Sequence, residues 1–158
     1  MKELLEYRAR LIERLLAAAR NFRAECLAVK DPFAPLEEGG WNTHQVAAHT
    51  RDVDQLAYGL RVRRTASEVN PAFESFDGDT HAAEHYNPNE SLRDMMDGFV
   101  ASIESLVELL RGLPAEAWSR ESRHATLGSG FTLQTWVERS LAHIEEHAET
   151  VKSRARYA

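Results

Sequence analysis

Residues 131–157 read FTLQTWVERSLAHIEEHAETVKSRARY, and the spacing of their apolar side chains decides the fold class. Leu133, Val137, Leu141, Ile144, Ala148 and Val151 recur at intervals of three and four, the period of a helix with one buried stripe. Lys152, Arg154 and Arg156 gather near its end, where cations suit the helix dipole. Two histidines, His143 and His147, lie just over one turn apart and project from the same side.

The same period runs through three further segments. In KELLEYRARLIERLLAAARNFRAECLAV (2–29) the stripe is Leu4, Tyr7, Leu11, Leu15, Phe22 and Cys26, and KDPFAPLEEGG (30–40) ends it with prolines and glycines. WNTHQVAAHTRDVDQLAYGLRVRR (41–64) opens with Asn42 and Gln45 spaced as a capping box. Its stripe is Val46, Val53, Leu56, Ala57 and Leu60. NESLRDMMDGFVASIESLVELLRG (89–112) has Asn89 as its expected cap and Gly112 with Pro114 as its stop, with Met95, Met96, Phe99, Ile103, Leu106, Val107 and Leu110 facing the core. Between the second and third helices, TASEVNPAFESFDGDTHAAEHYNPNE (65–90) is poor in aliphatic residues. It reads as a long connection with one short helix at HAAEH, of the kind that forms lids or binding loops. Nothing alternates with period two long enough to argue a sheet. The expectation is an all-α four-helix bundle with a long crossover between helices 2 and 3, one domain over residues 1–158.

Composition narrows the function. The chain of 158 residues carries 25 acidic and 19 basic side chains, a net charge of −6, which suits neither strand of a nucleic acid. Its single cysteine, Cys26, excludes an internal disulfide and reads as a small buried hydrophobe. No apolar run is long enough to span a bilayer, and the first residues lack the apolar segment of a signal peptide. The expectation is a cytoplasmic protein with no nucleic-acid or membrane partner.

The seven histidines carry the functional signal. On a helical wheel His143 and His147 flank their helix's apolar stripe, whereas His49 shares the side of Val53, Leu56 and Leu60 and points into the bundle. An inward histidine must be hydrogen-bonded, liganded or neutral. Three imidazoles from two helices would leave coordination positions open, as catalytic zinc sites do. The competing reading is a pair of surface histidines at i and i+4. HAAEH and HIEEH both match H-x-x-E-H, but the first runs into YNPNE and the second has only eleven residues after it, so neither can follow the inverted zinc-peptidase plan. A di-iron bundle fails too, since its Glu-x-x-His pairing occurs only at Glu121 and His124, in a Gly- and Ser-rich loop.

The segment GGWNTHQVAAHTRDVD resembles the signature of the DinB-like metal-binding four-helix bundles. Trp41 stands as the opening tryptophan, with His49, Asp52 and Asp54 as the H-x-x-D-x-acid run. The final helix, with His143 and His147, is similar to that family's H-x-x-x-H helix, and the likeness extends over nearly the whole chain. It implies a divalent metal, zinc or nickel, on His49, His143 and His147, a homodimer, and a site open to water and a small-molecule substrate. Some members transfer low-molecular-weight thiols onto electrophiles, so a metal-dependent thiol S-transferase is the activity it implies first. A metal-dependent hydrolase and a non-catalytic metal-binding stress-response dimer are the alternatives. Asp52, one turn beyond His49, is a candidate to orient a ligand; equally it is a salt bridge to Arg51 or Arg61. Tyr58, Tyr86 and Trp136 are candidate pocket walls. His81 and His85 match no family motif, and the polar segment around them reads as surface rather than as a fourth ligand or a gate.

Overall fold

The computed structural model describes residues 1–37 and 40–155. Among the described residues six α-helices appear in the order α1 (Lys2–Ala28), α2 (Thr43–Val53), α3 (Gly59–Ser67), α4 (Gly78–His85), α5 (Leu92–Gly112) and α6 (Leu133–Arg154). A π-helical turn, Asp54–Tyr58, joins α2 to α3 without a break, so α1, α2–α3, α5 and α6 make a four-helix bundle and α4 rides on the crossover. α1 packs along both α5 and α6, while α2 meets α4 and α5 and α3 meets α6. One apolar cluster joins them, with Leu15, Phe22, Met96, Phe99, Ile103, Leu133 and Trp136 fully enclosed. Among the described residues no helix is long and apolar enough to cross a membrane.

Local chemistry explains where the helices begin. Asn42 and Gln45 form the capping box, the Asn42 side chain accepting from the Gln45 N–H at 2.8 Å and the Gln45 side chain accepting from the Asn42 N–H at 2.9 Å. Asp77 caps α4 through the N–H groups of Asp79 and Thr80, and Thr132 caps α6. α5 starts two residues later than its sequence suggests, capped by Ser91 rather than Asn89. Arg156, the last of the three expected end cations, lies outside the described residues.

Two expectations are overturned. The second helix does not keep one phase. At the π turn the N–H of Gly59 donates to the carbonyl of Asp54, five residues back, and the extra residue in the ring rotates everything beyond it. Leu56 and Leu60 therefore face outward, 44% and 40% exposed, while Asp54, Arg61, Val62 and Thr65 are buried. Gly59 permits the turn, since a Cβ there would stand 2.7 Å from the Asp54 carbonyl oxygen. Leu4 at the start of α1 is likewise exposed, at 37%.

The chain also contains a small sheet. β1 (Ala72–Phe73) runs parallel to β2 (Glu121–His124), which pairs antiparallel with β3 (Gly128–Thr132). These strands are too short for a period to emerge, and the two inward residues of β2, Ser122 and His124, are polar. Ser122 earns its burial by accepting from the Trp136 indole at 2.7 Å and donating to the Phe131 carbonyl at 2.7 Å. Phe131 and Thr132 belong to β3, so α6 begins at Leu133.

Asp54 carries a testable cost. It is 4% exposed, and its Oδ1 has no hydrogen-bond partner. Burial raises its pKa to about 6, against the attraction of Arg63. An acid whose folded pKa lies above its unfolded value weakens the fold as pH rises from about 4 through 6. The full cost applies above that window. Asp54→Asn should therefore raise unfolding free energy by ~1–2 kcal/mol at pH 8 and by almost nothing at pH 4, read by urea titration at both values.

Candidate metal centre

Folding brings His49 from α2 together with His143 and His147 from α6. The Nε2 atoms of His143 and His49 are 3.3 Å apart, and those of His147 and His143 are 3.0 Å apart. Each of the three side chains is half-buried, and among the described residues they form the one cluster of three or more groups able to share a metal ion. The i, i+4 spacing on α6 stacks two rings with centroids 4.4 Å apart. α2 supplies the third ring, 5.3 Å from His143 and 5.0 Å from His147.

Electrostatics keeps these imidazoles neutral. Burial, then the neighbouring His147 and His49, pushes His143 down to about 3. Burial and then His49 push His147 down to about 4. His49 is lowered by burial as well, opposed by Asp79 and Asp52. Neutral rings crowding three Nε2 atoms into contact cannot all be satisfied by one another's protons. With Zn–N bonds of ~2.0–2.1 Å, the edge of a tetrahedron is ~3.3 Å, so the donor set fits a shared cation. The buried Nδ1 of His49 lies against the crossover backbone at Gly78, away from the cluster, which leaves Nε2 as the nitrogen turned toward His143.

A cavity of about 710 Å³ opens beside this cluster, within the range that small-molecule sites occupy. His49 and His147 stand in its wall, with Trp41, whose ring centroid is 5.0 Å from that of His49. The crossover supplies the opposite wall through Asp79, Ala82, Ala83, His85, Tyr86 and Glu90. It is fastened by His44, 1% exposed, whose Nε2–H donates to the Glu90 carbonyl at 2.7 Å while its Nδ1 accepts from the Tyr86 hydroxyl at 2.7 Å. Arg51 ties the two walls together, donating through Nη1 to the Glu90 carboxylate at 2.5 Å and through Nε to Asp52 at 3.0 Å.

The other residues singled out in the sequence divide. Asp52 is engaged by Arg51 and lies 3.6 Å from His81 Nε2. Arg61 pairs elsewhere: it is 6% exposed, donates to the Glu74 carbonyl at 3.1 Å and sits 4.8 Å from the Trp136 ring centroid. Tyr86 lines the cavity and Tyr58 abuts His143 at 5.6 Å, whereas Trp136 is fully buried on the sheet side. His81 and His85 stack at 4.3 Å; His85 is exposed yet borders the cavity. Sequence reasoning missed Gly78, Asp79 and Glu90, because only the crossover's return path brings them to the site; the Arg51–Asp52 pair it did offer is the one that forms.

The comparisons with known proteins agree with this architecture. No curated protein matches the sequence. Among solved structures the chain is similar to YfiT from Bacillus subtilis, described as "a probable metal-dependent hydrolase with an unusual four-helix bundle topology". The TM-score is 0.84 at 19% identity, over 96% of this chain and 87% of that one, a likeness of fold. The sequence model of the DinB superfamily matches residues 22–151, and the chain belongs to that superfamily.

Proposed function

We propose that His49, His143 and His147 hold one divalent cation, zinc or nickel, and that the protein is a metal-dependent enzyme transferring a low-molecular-weight thiol to an electrophile. The observation that supports this reading is the convergence of three neutral imidazoles, two of them in the wall of an open cavity. Bound there, the cation would supply a Lewis acid that makes a thiol or water acidic at neutral pH. The chain's own residues would do the rest. Trp41 and Tyr86 offer apolar faces to a small substrate, and the Arg51 pairing with Asp52 and Glu90 fixes the cavity's shape. Because Arg51 occupies those two carboxylates, neither is free to act as a base, which favours a reaction whose nucleophile needs only acidification.

A hydrolase is the second reading, favoured by Asp79 and Glu146, two further carboxylates in the cavity wall. Homodimerisation stays part of the proposal, with the outward Leu56 and Leu60 as candidate contacts.

The discriminating experiment loads the protein with Co²⁺ and adds small thiols. A new near-ultraviolet charge-transfer band, together with thiol–electrophile adducts seen by mass spectrometry, is the expected result. Ester or amide cleavage without thiol would establish the hydrolase instead. Stoichiometric metal with neither reaction would leave a metal that only staples the bundle.

A further inference from the structure

The crossover does more than wall the cavity; its first helical residue touches a candidate ligand. The backbone of Gly78 lies against the edge of the His49 ring. A methyl group on Gly78 would come within 2.7 Å of Cε1 and 3.1 Å of Nδ1 of His49, and 3.3 Å from a Val53 methyl. Nothing about Gly78's own backbone requires glycine, since its φ lies outside the left-handed region and it opens an α-helix, where alanine is the better residue. The absent side chain therefore serves the neighbour. Nδ1 of His49 is buried on this side with no other hydrogen-bond partner.

We infer that Gly78 is a positioning residue for His49: by lacking a side chain it lets the start of α4 close over the imidazole and holds Nε2 toward His143 and His147. The inference rests on the three-histidine metal reading and deepens it. An imidazole that ligates through Nε2 while neutral carries its proton on Nδ1, and that proton faces the Gly78 backbone. The crossover is thereby coupled to the centre. α4 buries none of its own residues and is held chiefly by what it touches on α2, so its seat and the ring's orientation depend on each other. Partners that orient a metal-binding histidine are worth ~10–100-fold in affinity when lost.

The test compares Gly78→Ala with Gly98→Ala. Gly98 lies in α5, and a Cβ there meets nothing within 4 Å, so it controls for adding a methyl to a helix. Zinc affinity is measured by competition with a chromophoric chelator, and melting temperature is measured in excess chelator. The expected result is a ~10–100-fold weaker zinc affinity for Gly78→Ala. Its melting temperature in chelator should stay close to that of wild type, and Gly98→Ala should bind zinc as wild type does.

Unchanged affinity in Gly78→Ala, or the same loss in both variants, overturns the inference while leaving the metal centre standing. Wild-type protein that binds no divalent metal overturns both. Should Gly78→Ala fail to fold, long-range ¹H–¹⁵N spectra of zinc-loaded wild type decide the matter. A His49 Nδ1–H protected from solvent exchange supports the inference, and one that exchanges freely overturns it.

Discussion

Replacing His143 by alanine should remove most of the metal-dependent part of stability and leave the metal-free part almost unchanged. His143 is the middle donor, with its Nε2 3.3 Å from that of His49 and 3.0 Å from that of His147. Removing it leaves only His49 and His147, two donors where a tightly held zinc takes at least three protein ligands. A ligand's share of a zinc site is ~3–4 kcal/mol, so affinity should fall by about two to three orders of magnitude. At zinc concentrations near a thousand times the wild-type dissociation constant, binding stabilises the fold by ~4 kcal/mol, or roughly 10 °C in melting temperature for a chain of this size. The variant at the same zinc concentration should gain only ~0.4–1.4 kcal/mol. In chelator the two should differ by no more than ~1 kcal/mol, because the lost ring contacts are offset by relief of the crowded nitrogens. Calorimetry of both proteins with and without zinc checks this. A wild-type melting temperature indifferent to zinc and chelator would sink the metal reading.

The metal-free protein should be acid-labile over an unusually specific window. His143 and His147 are bases whose folded pKa values, about 3 and about 4, lie below the ordinary 6.5. The unfolded chain therefore binds more protons than the folded one as pH falls from about 6.5 toward 4, and stability drops across that interval. The groups facing them set the depth. His49 from α2 disfavours protonation of both, Tyr58 adds an apolar ring against His143, and Asp79 and Asp52 act on His49 in the opposite sense. Going from pH 7 to pH 5 should cost the chelated protein ~3–4 kcal/mol, nearly two protons' worth of linkage. Replacing His147 by glutamine should roughly halve that loss. Denaturant unfolding across this range measures it, and a pH-independent free energy of the wild type between 7 and 5 would contradict the burial argument.

The long-period features were legible because each is repeated many times along its helix. α1, α5 and α6 follow stripes of six or seven apolar residues, and the Asn42–Gln45 capping box and the short helix at HAAEH are local signals. The meeting of His49 with His143 and His147 was also foreseen, partly for a reason that failed. His49 does point toward α6, but Leu56 and Leu60, used to define its inward side, face solvent. Helical phase carried across the π turn was the error, and a close approach between Gly59 and Asp54 leaves no pattern to read. The sheet was hidden because β2 buries Ser122 and His124, polar residues whose partners come from Phe131, Trp136 and the turn at Thr126 and Leu127. Cavity-wall residues from α4 were invisible for a simpler reason: a crossover's path depends on tertiary anchors such as His44 with Tyr86 and Glu90, 42 and 46 residues distant in sequence.

The π turn gives the second helix two phases with one axis. Residues before Asp54 keep time with His49, and residues after Tyr58 keep time with Arg61 and the aromatic rings beneath it. Each half can change under its own constraints, one set by imidazoles and the other by a guanidinium lying on indole and phenyl faces. Insertion of a single residue thus behaves like a clutch between two gears. Substitutions on one side need not be compensated on the other, and any alignment that assumes one uninterrupted helix will pair the wrong faces beyond it.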